Sequence, residues 1–183
     1  GQIHLREESC EGYFDKIVRP DRQSVKPFVY VGIEINKSRI HEYGTASSGD
    51  FKGRGKRAVD YSKFIIEEFI PFLKGEFKVS HDGKDWVYVG MSLGGLSAFD
   101  IVFNNTDYFS KVGVFSGSFW WRSKAYEDGY EEDNDRIMHQ KVKETQNPNL
   151  ALKFWLQCGT NDETSDRNNS GVIDSIEDTL DLI

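Results

Sequence analysis

Residues 86–103 read WVYVGMSLGGLSAFDIVF, and this stretch decides the fold of the 183-residue chain. Residues 86–89 are an apolar run of strand length, and residues 94–103 are an apolar run long enough for a buried helix. The five residues 90–94 between them match the pattern G-x-S-x-G. The pattern by itself is common, but a strand directly before it and a helix directly after it predict a sharp strand-to-helix turn.

Ser92 lies at the centre of this predicted turn. Such a turn holds its serine in a strained backbone conformation, and Gly90 and Gly94 avoid collisions with the neighbouring strand and helix. Gly95 lets the helix pack closer to the sheet. The Ser92 hydroxyl is then a candidate nucleophile, and the Leu93 N–H is a candidate donor to an oxyanion. The alternative is a glycine-rich turn whose serine has no chemical role.

Strand-like and helix-like segments alternate on both sides of this turn. The sequence predicts strands at 28–35, 111–116 and 152–158, the last two buried, and helices at 60–73 and 136–144. This alternation is typical of an α/β fold, here α/β-hydrolase-like, with a mostly parallel sheet and helices on both faces. The length fits one domain over residues 1–183. Because Gly1 is not a methionine and Ile183 falls inside a predicted helix, we expect this domain to be truncated at both ends.

Composition excludes several classes of protein. The chain carries 13 Phe, 8 Tyr and 4 Trp, far more bulky apolar surface than a disordered chain has. No apolar run approaches eighteen residues, so no membrane span is predicted. The formal net charge of −7 argues against a nucleic-acid partner held through phosphates. Cys10 and Cys158 are too few for a disulfide framework and do not form a metal-type pair.

Residues 89–121 (VGMSLGGLSAFDIVFNNTDYFSKVGVFSGSFWW) resemble the elbow region of the enterochelin esterase-like putative esterase family. These are α/β-hydrolases related to feruloyl esterases and other carbohydrate esterases. Residues 39–43 look like the family's R-x-x-E-Y, and residues 158–162 are similar to the strand end that carries its catalytic acid. The resemblance implies ester hydrolysis by a Ser-Asp-His triad, without a catalytic metal or organic cofactor. It also implies a small-molecule or carbohydrate ester as substrate.

The catalytic acid and base follow from the same fold. An activated serine needs a base, and the base needs an orienting carboxylate, in the chain order Ser, acid, His. Asp162 satisfies this order, with Glu163 as the fallback and a plain Asx-turn as the structural alternative. No histidine follows Asp162. We therefore expect the triad histidine to lie beyond this chain and the chain alone to be inactive.

Three further side chains are candidate substrate contacts. His41 follows a predicted strand, and it is a better candidate for a structural or substrate-contacting role than for the base. Trp120 and Trp121 follow the strand predicted to end at Ser116, where aromatic rings could stack on an aryl acid or a sugar. A core role for at least one of these tryptophans is an equally good interpretation.

Residues 166–177 read DRNNSGVIDSIE and match a calcium-binding loop. Such a loop places oxygen ligands at alternating positions, a glycine at the sixth and a bidentate carboxylate at the twelfth. Gly171 is sixth, and Ser170 departs from the usual Asp or Asn at the fifth. The predicted ligands of a structural Ca²⁺ are Asp166, Asn168, Ser170, the Val172 carbonyl, Asp174 and Glu177. The alternative is a polar turn that caps the helix beginning at Asp174.

Three functions remain open from the sequence. The first is a serine carboxylic-ester hydrolase. The second is a catalytically silent hydrolase-like domain that binds calcium or carbohydrate, and the third is acyl transfer to an alcohol other than water. A histidine after residue 183 in the parent gene would separate the first from the second, and product analysis would separate the first from the third.

Overall fold

The computed structural model describes residues 28–146 and 151–183 of the chain. The chain divides into two compact units, Gly1–Arg39 and Ile40–Ile183. The predictions made for Gly1 and Cys10 lie outside the described residues. Within the described ranges, no helix is both long enough and apolar enough to cross a bilayer.

The core of the larger unit is a parallel sheet of three strands. They are β1 (Val87–Met91), β2 (Lys111–Phe115) and β3 (Lys153–Gln157), which neighbour one another in chain order. Val87 lies opposite Lys111, and Lys111 lies opposite Lys153. The strands are therefore in step, and all three end at the same edge of the sheet. The strands predicted at 86–89, 111–116 and 152–158 are confirmed to within two residues at each end.

The described α-helices lie before, between and after these strands in the chain. They are α1 (Arg39–Glu42), α2 (Ala58–Lys63), α3 (Ile70–Glu76), α4 (Leu93–Asn104), α5 (Glu132–Asp135), α6 (Ile137–Glu144) and α7 (Asp174–Leu180). A π-helical segment, Phe64–Phe69, joins α2 to α3 without a break. Pro71 in the first turn of α3 has no N–H to donate to the preceding turn, and the wider π-helical segment just before it keeps the helix continuous.

Helix α4 packs on one face of the sheet. Val112 and Val114 of β2 are almost fully buried, and a Cβ placed on Gly95 of α4 would lie 2.9 Å from Val114 Cγ1. Gly95 therefore allows the close packing that the sequence predicted. The Phe99 ring of α4 stacks on Phe154 of β3 with ring centroids 4.9 Å apart. These contacts hold α4 against β2 and β3.

The opposite face of the sheet is open in the described part of the chain. Val87, Val89, Met91 and Trp155 are all more than half exposed. The α/β class is confirmed, and the described helices leave this face uncovered. The prediction that the third strand is buried is wrong, because β3 is an edge strand of the described sheet and Trp155 is 54% exposed.

The strand predicted at residues 28–35 is absent from the described structure. The segment has no regular secondary structure, and Phe28, Val29, Tyr30 and Ile35 are each more than half exposed. The preference of β-branched and aromatic residues for strands arises more from side-chain packing against neighbouring strands than from the backbone of the residue itself. A β-branched and aromatic run is therefore insufficient where no strand pairing forms.

Candidate active site

Ser92 occupies the turn between β1 and α4 in a strained conformation. Its φ is 56° and its ψ is −125°, and positive φ is uncommon for a residue other than glycine. The Ser92 N–H donates to the Phe115 carbonyl of β2 at 2.9 Å, and the Ser92 carbonyl accepts from the N–H groups of Gly95 and Ser118. The turn is thus held by β2 and α4 together, and the serine side chain is exposed.

The two glycines of the motif have different roles. A Cβ on Gly90 would lie 2.0 Å from the Gly94 carbonyl oxygen, so the strand and helix could not approach as they do. A Cβ on Gly94 would meet only the Tyr43 ring, at 3.5 Å, which is an ordinary contact. The steric reason predicted for both glycines therefore holds for Gly90 and is wrong for Gly94.

The Leu93 N–H is the predicted oxyanion donor, and its position fits that role. Leu93 is the first residue of α4, where N–H groups have no acceptor within the helix. Its N–H makes no hydrogen bond to any described residue. The Leu93 side chain is buried, which fixes the backbone in place. An anion beside Ser92 could accept from this group.

Asp162 lies in the turn that leaves β3. Its Oδ2 atom accepts hydrogen bonds from the Ser116 hydroxyl and from the Gly159 N–H, the latter at 2.6 Å. These two hydrogen bonds, that of Ser116 foremost, hold the pKa of the Asp162 carboxyl below its usual range. The side chain is exposed and is ionised at neutral pH. The contact with Gly159 is not the Asx-turn that the sequence offered as the structural alternative, because the side chain of an Asx-turn accepts from the N–H two residues after it and Gly159 lies three residues before Asp162.

Glu163, the fallback acid, is engaged elsewhere. Its Oε1 accepts from the Ser175 N–H in the first turn of α7, at 2.6 Å. A carboxylate at that end of a helix is favoured by the helix dipole. Asp162 is therefore the carboxylate that this loop directs to the sheet edge.

Two serines at the end of β2 belong to the same group and were missed in the sequence. The Ser116 N–H donates to the Gln157 carbonyl at 2.7 Å, and the Ser118 hydroxyl oxygen lies 3.5 Å from that of Ser92. The S-G-S sequence after the predicted strand was the available signal. It is weak, because only the strand order shows that Asp162 lies beside it.

The described histidines do not complete a triad. His41 and His81 are exposed, and neither they nor His139 hydrogen-bond to Ser92 or Asp162 within the described residues. His139 is partly buried. Its Nε2 lies 2.8 Å from the Asp178 carbonyl, and burial lowers its pKa. The predicted contact of His41 with substrate stays a prediction.

The two tryptophans have separate environments. Trp121 is fully buried, and a Cβ on Gly55 would lie 2.8 Å from its ring. The core role therefore applies to Trp121, and the prediction of a substrate contact is corrected for it. Trp120 is only partly buried, and the Arg54 guanidinium lies 5.1 Å from its ring centroid. Trp120 alone of the pair presents ring surface to solvent.

The predicted calcium ligands lie in a loop that is rich in internal hydrogen bonds. The Asp166 carboxylate accepts from the N–H groups of Ser170 and Gly171, both at 2.9 Å. Asp174 accepts from the Arg167 N–H at 2.9 Å and is also ion-paired with the Arg167 guanidinium at 3.3 Å. These carboxylates are therefore already bound to donors of the protein.

The remaining predicted ligands continue this arrangement. The Asn168 amide donates to Glu177 at 3.0 Å, and the Ser170 hydroxyl accepts from the Val172 N–H. Across residues 28–146 and 151–183 no three His, Cys, Asp or Glu side chains gather closely enough to hold a metal ion. Calcium binding by this loop stays a prediction.

A buried charge cluster anchors the segment that follows Asp162. Asp178 of α7 is fully buried and accepts from Arg136 at 2.8 Å and from Arg167 at 2.6 Å. Arg167 also pairs with Glu132 of α5. The cluster thus joins the loop after Asp162 to α5, α6 and α7.

Comparison with known proteins gives a family and a fold. The family described as "Putative esterase" matches residues 20–179. The uncharacterized protein YbbA of Bacillus subtilis (strain 168) is 29% identical over 108 residues, which are 57% of this chain and 43% of YbbA.

Two solved structures from Shigella flexneri share the fold. They are an enterochelin esterase, with a TM-score of 0.57, and the enterobactin esterase FES in the presence of enterobactin, with a TM-score of 0.55. Each is 24% identical to this chain. The match to the enterochelin esterase covers 76% of this chain and 32% of that protein. The match to FES covers 79% of this chain and 35% of that protein. The chain therefore spans less than half the length of these relatives.

Proposed function

The chain belongs to the putative esterase family, and we propose that it provides the nucleophile Ser92 and the acid Asp162 of a serine carboxylic-ester hydrolase. The observation that carries this proposal is the strained conformation of Ser92 at the sheet edge where Asp162 also lies. Strain of this kind costs about 1–3 kcal/mol and persists where it serves a site. A domain that only bound calcium or carbohydrate would have no use for it at a serine.

The reaction proceeds in two halves. The Ser92 oxygen attacks the ester carbonyl carbon while a base removes its proton, and the base then returns that proton to the departing alcohol. Water attacks the resulting acyl-Ser92 by the same route, releasing the acid and restoring the hydroxyl. The Leu93 N–H stabilises the oxyanion of both tetrahedral intermediates, and Asp162 stabilises the protonated base.

The base must bridge a gap between the two residues. Ser92 follows β1 and Asp162 follows β3, with β2 between them, so the strand ends are two strand spacings, about 10 Å, apart. An imidazole placed between them would reach both. We propose a histidine that follows Asp162 in the parent chain, since residues 163–183 include none.

The aromatic ring of Trp120, near the carboxyl ends of the strands, suggests the substrate class. Trp120 exposes part of its ring two residues after Ser118, whose hydroxyl lies 3.5 Å from that of Ser92. We propose small-molecule or carbohydrate esters that carry an aryl or sugar ring next to the scissile bond. The match to an enterobactin esterase supports an ester of this class without selecting one.

The test is Ser92→Ala in the full-length protein. Hydrolysis of a p-nitrophenyl ester should fall by about 10⁴–10⁶-fold, because triad residues act as a unit. Labelling by a fluorophosphonate probe should disappear, and mass spectrometry should place the label on Ser92 in the wild type. Ser110→Ala, at the other end of β2, is the matched control and should keep both signals.

Two outcomes would contradict the assignment. Substantial turnover in Ser92→Ala would show that Ser92 is not the nucleophile. Native-like turnover by residues 1–183 alone would show that the base is not a histidine after residue 183. An upstream histidine, His41 first, would then be the base.

A further inference from the structure

We propose that Ser116 is a positioning residue that orients the Asp162 carboxylate, an inference that rests on the proposed role of Asp162 as the catalytic acid. The Ser116 hydroxyl donates to Asp162 Oδ2. Ser116 directly follows β2, the strand between the proposed nucleophile and the proposed acid. It is therefore placed to fix the acid from the side on which the base must bind.

The two carboxylate oxygens of Asp162 make different hydrogen bonds. Ser116 and the Gly159 N–H both donate to Oδ2, whereas Oδ1 accepts no hydrogen bond from the described residues. Two donors on one oxygen fix the rotation of the carboxylate about its own axis. A triad acid needs one oxygen free to accept the N–H of the base, and this arrangement leaves Oδ1 for that bond.

The backbone of Ser116 supports the same conclusion. Its φ is 49°, in the left-handed region where glycine would be unstrained and serine is not. The next residue, Gly117, lies in a crowded part of this turn, where a Cβ would lie 2.6 Å from the Phe119 ring. The strained backbone at Ser116 holds its hydroxyl against Asp162, and the strained turn at Ser92 exposes the Ser92 hydroxyl.

The electrostatics agree with this geometry. The hydrogen bond from Ser116 is the main reason that the pKa of Asp162 lies below its usual range, and the Gly159 N–H adds to the effect. Both donors stabilise the charged carboxylate. Loss of the Ser116 hydroxyl should therefore raise the pKa of Asp162 as well as release its orientation.

The first test measures Asp162 itself in the full chain. Carboxyl NMR titration should give a higher pKa for Asp162 in both Ser116→Ala and Ser116→Gly than in the wild type. The two variants both lack the hydroxyl, but only the glycine variant also relieves the backbone strain. Ser110→Ala, directly before β2, should leave the titration unchanged. An unchanged pKa in both Ser116 variants would overturn the proposal.

The second test is kinetic and uses the full-length protein. A hydrogen bond to a charged group is worth enough that kcat should fall about 10- to 100-fold in both Ser116 variants, with KM within about twofold. Wild-type kcat in Ser116→Gly, which relieves the backbone strain while it removes the hydroxyl, would refute the positioning role. If the wild type hydrolyses no ester while the titration responds as expected, the proposed function fails and the orientation of Asp162 by Ser116 stands.

Discussion

The close approach of strand and helix at Gly90 gives the sharpest test of the turn around Ser92. We expect Gly90→Ala to destabilise the fold and Gly94→Ala to leave it unchanged or slightly more stable. Both substitutions add one methyl group within the same five-residue motif. They differ in the atoms that the added methyl group contacts. A difference in stability between the two variants therefore reports the steric clash and not the glycine-to-alanine change itself.

The magnitude follows from the distances. The new Cβ at Gly90 would lie 2.0 Å from the Gly94 carbonyl oxygen and 2.4 Å from its carbonyl carbon, whereas real contacts are almost never below 3.0 Å. Both atoms are backbone and cannot rotate away, so the first turn of α4 must move. Overpacking costs about 1–3 kcal/mol, and a backbone clash belongs at the upper end, about 3 kcal/mol. For a chain of this size the melting temperature should fall by roughly 6–12 °C.

The control substitution should act in the opposite direction. The Gly94 methyl group would meet the Tyr43 ring at 3.5 Å, an ordinary contact, and alanine favours a helix over glycine by up to about 1 kcal/mol. Its melting temperature should rise by roughly 0–4 °C. Thermal and urea unfolding of both variants measure the difference. A Gly90→Ala protein as stable as the wild type, or a Gly94→Ala protein as damaged as Gly90→Ala, would refute the close approach.

Two further predictions concern the segment after Asp162. Asp178→Ala removes the fully buried carboxylate that Arg136 and Arg167 share and leaves them their partly exposed partners Asp181 and Glu132. It should cost about 3 kcal/mol of unfolding free energy, the lower end for breaking a buried ion pair. Asp181→Ala, half exposed on the same Arg136, should cost at most about 1 kcal/mol, and equal losses in urea unfolding would contradict the cluster. If calcium binds residues 166–177, a calcium concentration about a hundredfold above its dissociation constant should add about 2.7 kcal/mol and raise the melting temperature over that in excess chelator. Equal melting temperatures would leave the hydrogen-bonded turn as the role of this loop.

The sequence predicts most reliably where the signal is local. The strand, turn and helix of residues 86–103 are read from apolar runs and from glycines a few residues apart, and the structure contains all three. The segment 28–35 has the same strand-like composition but forms no strand. The difference is that β1 pairs with β2, and pairing depends on residues distant in the chain.

The same limit explains which site residues were found. Ser92 is marked by a motif, because the close approach of β1 and α4 at its turn requires a glycine at position 90. Ser116 has a comparable positive φ, but its partner Asp162 lies 46 residues away in the sequence. Only the strand order β1-β2-β3 brings the two together, and no local pattern states that order. Once the order is known, a serine at the end of the middle strand becomes the residue best placed to fix the acid. A motif therefore points to the proposed nucleophile in such a fold, while the residue proposed to orient the acid must be sought at the end of the strand between the nucleophile and the acid.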